Sequence, residues 1–171
     1  CLVTLAALGV FAVYGFDGWL WRDDAVYVYA GQRVADGVPP YVGIFDHKTP
    51  LSPLLAGMAV WVGNVLSMDA VYAVRGLFWI ISGLTAGSLY LLGKSLWQRA
   101  EAGWLMAASL VPFWSFGREA VSGPRAKTPL VLFEVLYFYC MVKRYWFGAG
   151  VFAALATWVW QPGVVFVLIG A

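Results

Sequence analysis

Gly76–Gly93, GLFWIISGLTAGSLYLLG, lies between Arg75 and Lys94 and runs for 18 residues without a charge. At about 1.5 Å of rise per residue a helix of that length covers about 27 Å, close to the ~30 Å hydrocarbon core of a bilayer. Similar stretches lie on either side of it. Ala102–Gly117 sits between Glu101 and Arg118, and Pro129–Val142 is interrupted only by Glu134 and closed by Lys143 and Arg144. Phe147–Trp160 begins another that continues past Gln161-Pro162, and Cys1–Phe16 supplies one more at the start. Thr49–Met68 is also uncharged, but Pro50, Pro53, Gly57, Gly63 and Asn64 make it a poorer helix, suited to lie along the interface.

Composition points the same way. Of 171 residues 62% are hydrophobic and 12% charged, with mean hydropathy +0.76, whereas soluble domains run near 45–50% apolar and about 25% charged. The expected fold is therefore an all-α, polytopic transmembrane helical bundle of one module, residues 1–171, in the cell membrane. A net charge of +2, with no Lys/Arg tract, excludes nucleic acid as a partner. Cys1 and Cys140 stand far apart in apolar stretches, which is neither a disulfide framework nor a metal spacing. The chain starts on Cys rather than Met and ends in an apolar run, so it reads as a fragment of a longer protein, with lipidation of Cys1 the lesser alternative.

Polar chemistry concentrates in two connections, a first external loop over 17–50 and a second over 118–128. Five of the six aspartates and the only histidine fall between Asp17 and Lys48. For Asp17, Asp36 and Asp46 a solvated loop is explanation enough. Asp23-Asp24 differ, because they stand where the aromatic stretch Phe16, Trp19, Leu20, Trp21 meets a helical pattern from Ala25 to Asp36, closed by Gly37. Val26, Ala30 and Val34 give that juxtamembrane helix an apolar face on which to lie against the membrane. Asp23 fits the N-cap; equally, one carboxylate of an adjacent pair at the lipid–water boundary can be desolvated and act as a base. VPPYVGIFDHKTPLSP, from Val38 to Pro53, is too rich in proline for a regular element.

Topology turns on Thr49–Met68. If it does not cross, the Lys94–Glu101 turn and Lys143–Arg144 share one side, and the two polar loops share the other. The positive-inside tendency does not decide this, since Arg22, Arg33, Lys48, Arg118, Arg125 and Lys127 would then face outward. The preference rests on bringing both loops to one face, where they can form one site.

WRDDAVYVYAGQRVADGVPPYVGIFDHKTPL, from Trp21 to Leu51, resembles the first external loop of GT-C-type membrane glycosyltransferases, in particular the protein O-mannosyltransferase and aminoarabinose-transferase group. The order of features carries the likeness: Asp23-Asp24, Tyr27, Ala30, Gly37, Tyr41, Phe45-Asp46 and Lys48-Thr49-Pro50-Leu51. Weaker similarity runs through Val74-Arg75 and Gly150–Pro162. Asp24 stands where the group usually has Glu, and Thr49 where it usually has Pro. Where the group's second loop often has an acid before proline, this chain has Thr128 before Pro129, and the nearest acid is Glu119.

The resemblance implies an inverting transfer of a sugar, expected to be mannose, from a polyprenyl-phosphate donor to a hydroxyl of a protein, glycan or lipid acceptor at the outer face. In that scheme Asp23 takes the acceptor proton and Asp24 orients the acceptor or shares the role. Lys48, Arg125 and Lys127, with His47 beside them, meet the phosphate, and Tyr27, Tyr41 and Glu119 are candidate substrate contacts. Because side chains would counter the leaving-group charge, the chemistry requires no metal and no cofactor. The rival readings are a transporter or non-catalytic lipid-binding subunit, and a silent module of a larger transferase assembly.

Overall fold

The computed structural model describes residues 2–42 and 49–170; among them all regular structure is helical. In chain order the helices are α1 (Leu2–Ala12), α2 (Arg22–Ala35), α3 (Leu51–Val65), α4 (Ala70–Trp97), α5 (Ala100–Ala108), α6 (Trp114–Ser122), α7 (Lys127–Val142), α8 (Trp146–Val159) and α9 (Val164–Gly170), with a single 3-10 turn at Gln161–Gly163.

Helix α4 is the post around which the others stand, with α1, α3, α5, α6 and α7 packed against it. Asp69 starts it: its Oδ1 accepts from the Val71 N–H at 2.8 Å, satisfying one of the orphan donors of the first turn. This helix extends the predicted span at both ends. It is the one described helix long and apolar enough to cross a bilayer unaided; α1, α3 and α8 are shorter apolar helices.

Two expectations are corrected. Ala102–Gly117 is not one helix but two, α5 and α6, broken over Ser109–Phe113. Pro112 has no N–H to continue the ladder, and Ser109 Oγ turns back onto the Met106 carbonyl at 2.7 Å. Thr49–Met68 yields a true helix, because Pro50 is its N-cap and Pro53 falls in its first turn, where backbone N–H groups have no partner to lose. One face of α3, carrying Ala56, Gly57, Ala59, Val60 and Gly63, is buried against α2 and α4, while Leu54, Met58, Trp61, Val62 and Val65 stay exposed on the other.

The amphipathic helix of the first loop exists as α2, and most of its expected apolar face turns inward: Ala30 is buried and Val34 meets Gly57 of α3, but Val26 is exposed. Tyr27, Val28 and Gly31 are buried with Asp24, whereas Val26 and Tyr29 are exposed. The inward face packs on α3 so closely that a Cβ on Gly31 would lie 2.8 Å from the Ala56 carbonyl carbon. Its C-terminus ends as expected at Gly37, whose φ of +85° suits glycine. There Gly37 N–H donates to Val34 O and Val38 N–H to Arg33 O, at 3.0 and 2.9 Å, in a Schellman closure.

Candidate functional site

Both polar loops come to one end of α4, and three ties hold them there. Arg75, only 3% exposed, donates from Nε to the Ser122 carbonyl at 2.9 Å, from Nη1 to the Phe16 carbonyl and from Nη2 to the Gly18 carbonyl. One guanidinium thus joins the chain leading into α2 to the end of α6. A buried cation needs such acceptors, since an unsatisfied charge in an apolar setting is costly. Tyr72, one turn earlier on α4, donates its hydroxyl to Asp17 Oδ1 at 2.6 Å. Asp17 therefore has a structural bond beyond the solvated role its position suggested.

The third tie runs directly between the loops. Asp24 accepts from Arg125 Nε at 3.1 Å, and Arg125 Nη1 lies 3.4 Å from Glu119 Oε1. Asp24 is 1% exposed, while Arg125 and Glu119 keep 28% and 32% of their side chains in the open. Burial pushes the Asp24 carboxyl above its ordinary pKa; the Arg125 charge and the Trp21 N–H pull it down, and neighbouring Asp23 adds to the rise. The extended backbone at Gly123 lies against this carboxylate, where a Cβ would sit 2.5 Å from Asp24 Cγ.

The cap of α2 departs from expectation. The N-cap is Trp21, not Asp23, and Asp24 at the third helical position reaches back to accept the Trp21 N–H at 3.3 Å. That places Asp23 in the first turn with its side chain exposed. Of the adjacent acids, one is sealed between the loops and the other faces outward.

The other candidate residues spread around this junction. Lys127 is exposed at the start of α7, its Nζ 5.8 Å from the centre of the Trp160 ring. Tyr27 is buried at 3% against Ala126, Leu130, Ala156 and Val159. Tyr41 is half exposed, with φ of +70°. His47 and Lys48 lie outside the described residues. No three His, Cys, Asp or Glu side chains gather as metal ligands among the described residues.

Two residues with a clear place in the site were not singled out from sequence. Arg118 lies 5.6 Å from the Trp21 ring centre and 5.2 Å from that of Trp114, within cation–π range of both. Arg75 had a signal: a lone cation at the mouth of a long apolar run must find partners nearby. Trp21, Trp114, Ser115, Arg118, Glu119, Ser122 and Arg125 line a cleft of about 220 Å³ at the loop junction.

Neither a protein-family model, nor a curated protein, nor a solved structure matches this chain.

Proposed function

We propose that this chain is the membrane-embedded, polytopic core of an inverting glycosyltransferase, moving a sugar from a polyprenyl-phosphate donor to an acceptor hydroxyl. The observation that carries the reading is the meeting of the two polar loops at one end of α4, with Asp24 and Arg125 bonded across them and Asp23 turned outward beside that pair. The exterior supports the bilayer setting. Leu5, Trp61, Leu105, Phe147 and Leu168, on five different helices, are each at least 60% exposed, more apolar surface than water favours.

Asp23 is the accessible carboxylate that takes the acceptor proton. As the hydroxyl oxygen forms its bond to the anomeric carbon, the bond to the phosphate oxygen breaks and the lipid phosphate leaves with the electron pair. Charge grows on that phosphate, and a cation must stand near it. Lys127 is the best-placed described residue, since no described carboxylate neutralises it and Trp160 holds it at the head of α7. Arg125 is less suited to this task than its type suggests, because Asp24 and Glu119 already take up its charge. The resemblance of the first loop supplies the donor class and the choice of mannose.

The test is transfer of labelled mannose from polyprenyl-phosphate mannose by the full-length protein and its Asp23→Asn variant. The reading requires transfer by the wild type and its loss in the variant, with the helical content unchanged. Transfer that survives Asp23→Asn removes the proposed base; donor binding without transfer by the wild type favours a lipid-binding subunit.

A further inference from the structure

We propose that the cleft between Trp21 and Trp114 is a subsite for one neutral pyranose ring, and resting on the transferase reading we assign that ring to the acceptor. Three properties of the cleft carry this. Its volume, about 220 Å³, lies below the ~300–1,000 Å³ typical of drug-sized ligand sites and suits a single small ring. Its charges balance in number: Arg118 and Arg125 stand beside Asp24 and Glu119, both of which Arg125 contacts, and Arg118 lies within cation–π range of the two indoles. A phosphate entering here would displace existing partners, whereas a polyol needs no net charge.

The third property is the mix of surfaces. Trp21 and Trp114 remain 54% and 58% exposed, although Arg118 lies within reach of both rings. The electron-rich face of an aromatic ring attracts the weakly positive C–H bonds on a sugar's flat side. Around the rings stand guanidinium donors, the Glu119 carboxylate as an acceptor, and the Ser122 residue at the rim. A sugar hydroxyl both donates and accepts, and this lining offers both in a small space. A helix face that only anchored in headgroups would have no reason to pair an acid and two arginines between its tryptophans.

The cleft also sits in the right place. Trp21 caps α2 two residues before Asp23, and Arg125 bonds Asp24, so the cleft lies at the same loop junction as the acid pair.

The experiment is a calorimetric titration of the full-length protein in phosphatidylcholine nanodiscs, because maltoside detergents would themselves present the ligand. Probes are methyl α-mannoside, methyl β-glucoside and inorganic phosphate. The wild type should bind at least one methyl glycoside, and phosphate more weakly. Trp114→Ala should lower that affinity about tenfold, and Trp114→Phe, which keeps a ring, should recover most of it. Equal binding by wild type and Trp114→Ala, preference for phosphate, or no glycoside binding at all overturns the subsite. A kinetic arm fixes the source of the ring: Trp114→Ala should raise KM for the acceptor and leave that for the lipid donor unchanged, and the reverse pattern overturns the assignment to the acceptor. Binding without transfer in the wild type leaves the subsite standing and counts against the transferase reading alone.

Discussion

Removing the Asp24–Arg125 contact tests whether the two loops are held together by the pair or merely rest side by side. Two unit charges about 4 Å apart attract by about 4 kcal/mol at an effective dielectric near 20. Against this stands the cost of burying Asp24, which is large enough to raise its pKa despite the guanidinium at 3.1 Å. Arg125 is 28% exposed and shares its charge with Glu119, which discounts the attraction further. A net coupling of about 1–3 kcal/mol remains, within the usual range for contacting residues in one network. The measurement is a double-mutant cycle of Asp24→Asn and Arg125→Gln, read as unfolding free energies by circular dichroism in a single lipid–detergent mixture. The singles should be non-additive by that amount, while a cycle of Arg125→Gln with Glu119→Gln should give under about 1 kcal/mol, as exposed pairs do. Additivity of the first cycle to within about 0.5 kcal/mol would refute the pair as a tie.

Further outcomes follow from the same geometry. Because the folded-state pKa of Asp24 is raised, the folded protein holds this proton more tightly than the unfolded chain; that contribution is full below the ordinary value near 3.9 and lost as pH rises through the folded pKa. Melting temperatures taken from pH 4 to 7 should therefore show wild type losing ground to Asp24→Asn with rising pH, and a constant gap would contradict the burial of the carboxyl. Gly123→Ala, whose Cβ would press on a short side chain fixed at the head of α2, should cost about 1–3 kcal/mol; Gly76→Ala, which meets nothing within 4 Å, should be neutral or slightly stabilising in the same denaturation assay. Arg75→Met removes three donors, one from the buried Ser122 carbonyl and two from the part-buried Phe16 and Gly18 carbonyls, and should cost about 3 kcal/mol, with faster proteolysis across residues 13–21 as a second readout.

How far the residues announced this arrangement depends on the scale of the signal. Long uncharged runs predicted α4, α7 and α8 to within a few residues, except that α4 runs six residues further upstream, from its Asp69 cap. Helical content was legible for the same reason. The break between α5 and α6 was missed because Pro112 sits inside an apolar run whose hydropathy does not fall. The proline-laden start of α3 was read as an obstacle, although prolines in a first turn remove no helical hydrogen bond. The meeting of the two loops agrees with the preference for bringing both to one face, where they can form one site. What sequence could not give was the division of labour within Asp23-Asp24. Which carboxylate faces inward depends on where the helix starts, and the two-residue difference between a cap at Trp21 and a cap at Asp23 rotates the pair by about 200° around the helix. Arg118 and its two tryptophans were equally hidden, since residues 21, 114 and 118 meet only after α6 folds back over α4.

Site-directed thiol labelling tests the central claim, that both polar loops occupy one membrane face, most directly. In a full-length protein carrying Cys1→Ala and Cys140→Ala, the exposed positions Asp36, Ser115, Arg99 and Lys143 are changed singly to cysteine and intact cells are treated with a membrane-impermeant maleimide. Asp36→Cys and Ser115→Cys should react from outside, and Arg99→Cys and Lys143→Cys only after the membrane is opened. Reaction of Asp36→Cys and Ser115→Cys from opposite sides would contradict the claim.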